Sequence, residues 1–140
     1  MNSEELYKKL KGYFPKNLDL MRHLDVGACW EYIVFEDSIG DSIENDKSPK
    51  IRYFLYKEGP ESLKMTKEKP QMDPDLILYF TEKAILTLIE NNPNADEYFT
   101  HYKEIMENPT TEVEVDNKVN KARLKLWRIG YRNWQNDFNF

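Results

Sequence analysis

Cysteine is almost absent from this chain of 140 residues, and Cys29 is the only one. A single cysteine excludes an intrachain disulfide and a cysteine-based metal cluster, so we expect a reducing, cytoplasmic compartment. Because free cysteines are usually buried, Cys29 is interpreted as a small core residue rather than a reactive thiol.

Glycine is scarce as well, and its five residues are isolated from one another: Gly12, Gly27, Gly40, Gly59 and Gly130. Phosphate-binding loops need closely spaced glycines that let backbone N–H groups approach the ligand. A P-loop or dinucleotide fingerprint is therefore excluded. No serine stands in the Gly-x-Ser-x-Gly frame of a hydrolase nucleophile elbow.

Long apolar runs are missing. The longest strictly apolar stretch is 76–80, far short of the roughly 20 residues that cross a bilayer, and the charged residues 1–10 are unlike a signal peptide. Charge is nearly balanced, since 25 acidic and 20 basic side chains leave −5, which argues against nucleic acid as a partner. These features predict a single soluble domain.

Histidine is limited to His23 and His101. Neither has a second histidine, cysteine or acid at metal-ligand spacing, so we expect no metal site, no cofactor and no catalytic residue. One alternative stays open, in which His101 works with a nearby glutamate on a small acyl substrate.

Strands are indicated where β-branched and aromatic residues alternate with period two. They are predicted over 28–35, 51–57, 63–66 and 76–80. Trp30, Tyr32 and Val34 share one face of the first strand. Short connections predict an antiparallel meander, whereas the polar residues 36–50 predict a long exposed loop. A short fifth strand is expected over 110–115.

Helices are indicated where apolar residues recur at helical spacing. They are predicted over 3–13, 82–91, 95–107 and 118–134, with one further turn over 17–22. Thr81 is a suitable N-cap for the helix over 82–91, and Gly130 is the residue least favourable to helix formation in the helix over 118–134. The whole pattern predicts an α+β fold, a sheet of about five mostly antiparallel strands with helices on one face.

Aromatic residues make up 14% of the chain, more than a small helix-on-sheet interface needs. Either the core is solid and aromatic, or the layers stand apart around an apolar cavity. For a cavity, the candidate ligand-binding residues lie on the helices: Ile85, Leu88, Ile89, Tyr98, Tyr102, Ile105, Met106 and Trp127.

Residues 73–127 resemble the sterol carrier protein 2 family of small lipid-binding domains. Three segments carry this resemblance: the strand, turn and Thr–acid helix start in Pro74–Ile85, the aromatic pair Tyr98-Phe99 in the next helix, and the Lys-rich segment 118–127. The chain departs from the family at Tyr102-Lys103 and Asn108-Pro109, where members usually have a Gly-Lys and a second glycine. The resemblance implies one domain over 1–140 with an apolar tunnel for a fatty acyl or sterol-like ligand.

We therefore predict a non-enzymatic carrier or binder of lipid-like molecules, held by apolar burial. The alternative is a protein-interaction or dimerisation module with a solid core, whose aromatic residues 134–140 dock a partner or a second copy of the chain. Transient contact with an anionic membrane surface is expected to use a basic face, unless that face is simply solvated. The face comprises Lys118, Lys121, Arg123, Lys125, Arg128 and Arg132.

Overall fold

Five strands and six α-helices build an α+β architecture in the computed structural model, which describes residues 1–140. The helices are α1 (Ser3–Lys11), α2 (Ile39–Glu44), α3 (Glu82–Ile89), α4 (Ala95–Glu107), α5 (Arg123–Ile129) and α6 (Tyr131–Phe138). The strands are β1 (Cys29–Phe35), β2 (Ile51–Gly59), β3 (Ser62–Thr66), β4 (Leu76–Thr81) and β5 (Val115–Val119). Two short 3₁₀ turns, Phe14–Lys16 and Leu18–Met21, follow α1. No helix has the length and apolar character needed to cross a membrane.

The sheet is mixed, with the strand order β3-β2-β1-β4-β5. Three neighbouring pairs are antiparallel, but β1 and β4 are parallel. The expected meander is therefore wrong at its fourth strand, because the chain crosses the sheet after β3 and places β4 beside β1. Period-two alternation reports which residues share a face but not the direction of the neighbouring strand.

The inner face of the sheet is aromatic, as the alternation in β1 predicted. Trp30, Tyr32 and Val34 are all buried there. The ring of Tyr32 stacks between those of Tyr53 and Phe80, at centroid distances of 4.5 and 5.7 Å. All helices except α2 contribute buried side chains to this layer, so the expected arrangement of helices on one face holds for five of the six.

Helix α2 lies within the segment that the polar composition predicted to be an exposed loop. Its residue Ile39 packs against Ile33 and Phe35 on the outer face of the sheet. Six residues leave too little periodicity to distinguish such a helix from a loop.

The starts of α3 and α4 are determined by local capping. The hydroxyl of Thr81 accepts a hydrogen bond from the backbone N–H of Ala84, as expected. Asn94 and Glu97 form a reciprocal capping box at the start of α4.

The C-terminal region differs most from its predicted single helix over 118–134. Residues up to Val119 belong to β5, and the remainder is divided into α5 and α6 at Gly130. Gly130 has a φ of +112°, and a Cβ there would lie 2.0 Å from the backbone oxygen of His23, so only glycine fits. The strand expected over 110–115 begins instead at Val115. Most residues of this edge strand are polar and exposed, so they lack the alternation of apolar and polar residues that would have located it.

Candidate ligand-binding pocket

A pocket of about 610 Å³ lies between the inner face of the sheet and helices α4, α5 and α6, and it is open to solvent. This volume is within the usual range of small-molecule sites. Thirteen of its 18 lining residues are hydrophobic. The lining consists of Trp30, Tyr32, Leu76, Leu78, Tyr98, Phe99, Tyr102, Asn117, Val119, Arg123, Leu126, Trp127, Tyr131, Arg132, Trp134, Gln135, Asn136 and Phe140.

The sheet supplies the floor of the pocket through every second residue of two parallel strands. Trp30 and Tyr32 project from β1, and their ladder partners Leu76 and Leu78 project from β4. Since alternate side chains point to the same face, this set follows from the register of the pair. The parallel placement of β4 thus creates the floor.

Helix α4 forms one wall with Tyr98, Phe99 and Tyr102. Burial raises the pKa of Tyr102 to about 12 and the pKa of Tyr98 well above the usual value. Their hydroxyl groups are protonated at neutral pH, as in any tyrosine, and can donate or accept hydrogen bonds. The wall combines large apolar surface with a few polar tips.

The opposite wall is formed by α5, α6 and the last residues of the chain. Leu126, Tyr131 and Trp134 are buried there. The indole of Trp134 donates a hydrogen bond of 2.9 Å to the backbone oxygen of Leu20, and the Phe140 ring stacks on the indole at 5.1 Å. Helix α6 is therefore part of the core, and the partly exposed Phe140 packs against it.

A buried carboxylate holds this wall against the sheet. Asp75, which has no exposed surface, accepts hydrogen bonds from the Tyr131 hydroxyl at 2.6 Å and from the backbone N–H of Cys29 at 3.0 Å. It also pairs with the Lys121 ammonium at 2.5 Å. The Tyr131 hydroxyl in turn accepts a bond of 2.8 Å from the indole of Trp30. The start of α6 is thereby connected to both strands of the pocket floor.

The mouth of the pocket is cationic. The guanidinium groups of Arg123 and Arg132 lie over the Trp127 ring, 4.5 and 5.2 Å from its centroid, a geometry typical of cation–π contacts. Both arginines line the pocket, and no aspartate or glutamate does.

The structure divides the sequence-predicted site residues into two groups. Tyr98, Tyr102 and Trp127 line the pocket. The other five do not: Ile85, Leu88, Ile89 and Ile105 are buried elsewhere in the core, and Met106 is exposed. Helical periodicity identifies a buried stripe, but it does not tell which part of the stripe meets a cavity.

Sequence reasoning missed the contribution of the strands and of α6 to the pocket. The signal for the strand residues was the alternation that placed Trp30 and Tyr32 on one face. For α6 the signal is the helical spacing of Tyr131 and Trp134, but the position of this helix over the sheet depends on long-range contacts such as Asp75 with Tyr131.

The remaining candidates for chemistry lie outside the pocket. Cys29 is buried, and burial together with the nearby Asp75 charge raises its pKa to about 12. His23 contacts Asp137 at 2.9 Å, and the half-buried His101 lines a separate cleft together with Glu90 and Glu97. No group of three or more potential metal-binding side chains comes together.

No protein-family model and no curated protein matches the chain. Among solved structures, it is similar to one described as "UbiJ-SCP2 Ubiquinone synthesis protein", with a TM-score of 0.45 and 9% sequence identity over 84% of this chain and 82% of that chain.

Proposed function

We propose that this protein binds a lipid-like apolar molecule, of fatty acyl or sterol-like type, in the pocket, and carries it without changing it chemically. The supporting observation is a pocket of about 610 Å³ with 13 hydrophobic residues among the 18 that line it. Each 100 Å² of ligand surface buried there contributes about 2.5 kcal/mol before the cost of immobilising the ligand.

The chemistry of the lining supports binding rather than catalysis. Its titratable side chains are tyrosines and two arginines. Burial raises the pKa of Tyr32, Tyr98 and Tyr131 well above its usual value, so none of these phenols is tuned to act as an acid or base near neutral pH. The thiol of Cys29 and the imidazole of His101 do not line the pocket.

Two neighbouring residues of β4 provide the test. Leu76 is half-buried and faces the pocket, whereas Ile77 is half-buried and packs on the outer face of the sheet. Leu76→Trp fills the pocket from its floor, and Ile77→Trp adds the same side chain outside it. A fluorescent acyl probe is titrated into the wild type and both variants, and native mass spectrometry of freshly purified protein is followed by extraction of any bound lipid.

We expect saturable uptake by the wild type and by Ile77→Trp, and an affinity at least about tenfold lower for Leu76→Trp, since losing about 1.4 kcal/mol of contact has that effect. A clean apo mass and no probe uptake by the wild type would overturn the proposal and favour the interaction module. Equal uptake by the two tryptophan variants would place the ligand elsewhere.

Transient membrane contact and self-association are further predictions. A membrane surface would present the ligand to the pocket, and the basic residues between Lys118 and Arg132 support such contact.

For a homodimer through the C-terminus, Phe140 is the exposed aromatic residue, because Trp134 and Phe138 are buried in their own chain. Light scattering over a range of protein concentrations tests for the dimer.

A further inference from the structure

Exposed apolar side chains gather around the mouth of the pocket. Leu124 is the most exposed large apolar side chain of the chain, at 66%. Trp127 lies one helical turn further along α5 and is 36% exposed, and Val119 and Phe140 are exposed as well. Trp127, Val119 and Phe140 also line the pocket. Single exposed apolar residues are ordinary, but such a group marks an interaction surface.

The same region is strongly basic in a chain of net charge −5. Between Asp116 and Asp137 there are six basic side chains and no acidic one. Among these six, only Lys121 forms an ion pair, with the buried Asp75. Asp137 itself is engaged by Arg22 and His23. The positive charge around α5 is therefore available to an external partner.

Helix α5 presents these groups in an amphipathic arrangement. Leu126 is buried and attaches the helix to the core. Leu124 and Trp127, three residues apart, lie on the same outer side. Lys125 and Arg128 are exposed beside them. Long basic side chains of this kind can reach phosphate groups while apolar neighbours enter a bilayer interface.

We infer that α5 and the mouth of the pocket form a docking surface for an anionic lipid bilayer. Leu124 and Trp127 enter the interfacial region, where tryptophan is favoured, and the basic side chains contact lipid phosphates. This orientation turns the open side of the pocket toward the membrane. The protruding Leu124 and Trp127 beside unpaired positive charge match the two layers of an anionic bilayer surface, its apolar interior and its lipid phosphates.

The full-length protein is tested with vesicles of phosphatidylcholine, with and without phosphatidylglycerol. Co-sedimentation measures partitioning, and brominated acyl chains measure insertion by quenching tryptophan fluorescence. Trp30 and Trp134 are buried, so quenching reports mainly on Trp127. We expect binding and quenching with the anionic vesicles, and much less of both with phosphatidylcholine alone.

Two matched pairs of variants separate the contributions. Lys125→Gln with Arg128→Gln should weaken partitioning roughly 30-fold, since each basic side chain near an anionic surface contributes about fivefold. The same change at the exposed Lys8 and Lys9 of α1 should have little effect. Leu124→Gln should weaken partitioning several-fold, whereas Ile43→Gln, at a residue that is 55% exposed on α2, should not.

The inference is overturned if the α1 and α5 charge variants lose binding equally, if Leu124→Gln behaves as Ile43→Gln does, or if quenching is absent. Binding to an acidic protein but not to anionic vesicles would also overturn it. The proposed function is judged separately, by acyl-probe uptake in solution without vesicles. Leu124→Gln should leave that uptake unchanged, because Leu124 does not line the pocket.

Discussion

Tyr131 donates a hydrogen bond of 2.6 Å to the carboxylate of Asp75, which is fully buried. The two residues are 56 positions apart, at the start of α6 and just before β4. Because the same carboxylate also pairs with Lys121 and accepts the N–H of Cys29, one side chain connects the sheet to the helical wall of the pocket. The stability of the fold and the shape of the pocket are coupled through it.

Removing this carboxylate should be strongly destabilising. Asp75→Ala leaves three donors without their acceptor, and we expect the free energy of unfolding to fall by about 3–5 kcal/mol in urea titrations. Asp73→Ala is the matched control, two residues earlier, where the carboxylate is 75% exposed and pairs only with Lys69. It should change stability by less than about 1 kcal/mol. Similar losses for the two variants would contradict the role assigned to Asp75.

Tyr131→Phe keeps the ring and removes only the hydroxyl. The indole of Trp30 then loses its acceptor and Asp75 loses one donor. We expect a loss of about 1–3 kcal/mol in the same titration. A variant as stable as the wild type would show that the hydroxyl contributes nothing to holding α6.

The junction between α5 and α6 should tolerate no side chain. Gly130→Ala combines a positive φ with a Cβ only 2.0 Å from a backbone oxygen, so we expect thermal unfolding to show at least about 2 kcal/mol of destabilisation. Gly40→Ala is the control, because Gly40 lies in α2 with nothing within 4 Å of its added Cβ. That change should be neutral or slightly stabilising. A stable Gly130→Ala protein would contradict the described geometry of this turn.

Alkaline pH should unfold the protein through its buried tyrosines. Burial raises the pKa of Tyr13 and Tyr102 to about 12, and of Tyr32, Tyr98 and Tyr131 well above the model-compound value of 10.0. Since the folded-state pKa is the higher one, this stabilisation is fully present below pH 10. It is lost as the pH rises above 10 toward and beyond 12.

Phenolate absorbance and circular dichroism, followed together, check this. Above pH 10, the folded protein should show a much smaller phenolate absorbance than the urea-unfolded chain at the same pH. The rest of the phenolate absorbance should appear only as the circular dichroism signal of the folded state is lost. Full tyrosine ionisation near pH 10 with native circular dichroism would contradict the burial of these rings.

The thiol of Cys29 should be protected by the fold. Burial and the Asp75 charge raise its pKa to about 12, from 9.0. A thiol-specific disulfide reagent at pH 8 should therefore modify it only after unfolding. A variant with Ser48→Cys adds an exposed thiol as an internal control, and this second thiol should react at once. Equal rates for the two cysteines in the folded protein would contradict the prediction.

Local sequence patterns were sufficient to predict much of the fold. The alternation in residues 28–35 located β1 and its buried face. Helical spacing located α3 and α4, with Thr81 as the predicted cap of α3. These elements were predictable because their buried residues recur regularly over several helical turns or several residue pairs of a strand. Helix α2 and strand β5 were missed or displaced because they are short and mostly exposed.

The candidate site was predictable only in part. Tyr98, Tyr102 and Trp127 were expected to line a cavity and do line the pocket, but the residues of α3 and Ile105 are in the solid core. A buried stripe looks the same in the sequence whether it packs against other side chains or faces a space. Whether a solid core or a pocket forms depends on the distance between the sheet and the helices packed on it.

The sequence by itself determined the buried faces of β1, α3 and α4 and where most helices and strands form. These properties follow from hydrophobic periodicity and from local capping, which act over a few residues. Only the tertiary structure decided that β4 lies parallel to β1 and that α6 closes a pocket over them. Both depend on contacts between residues that are distant in the chain, such as Asp75 and Tyr131. The sequence around one of these residues does not indicate which distant residue it contacts.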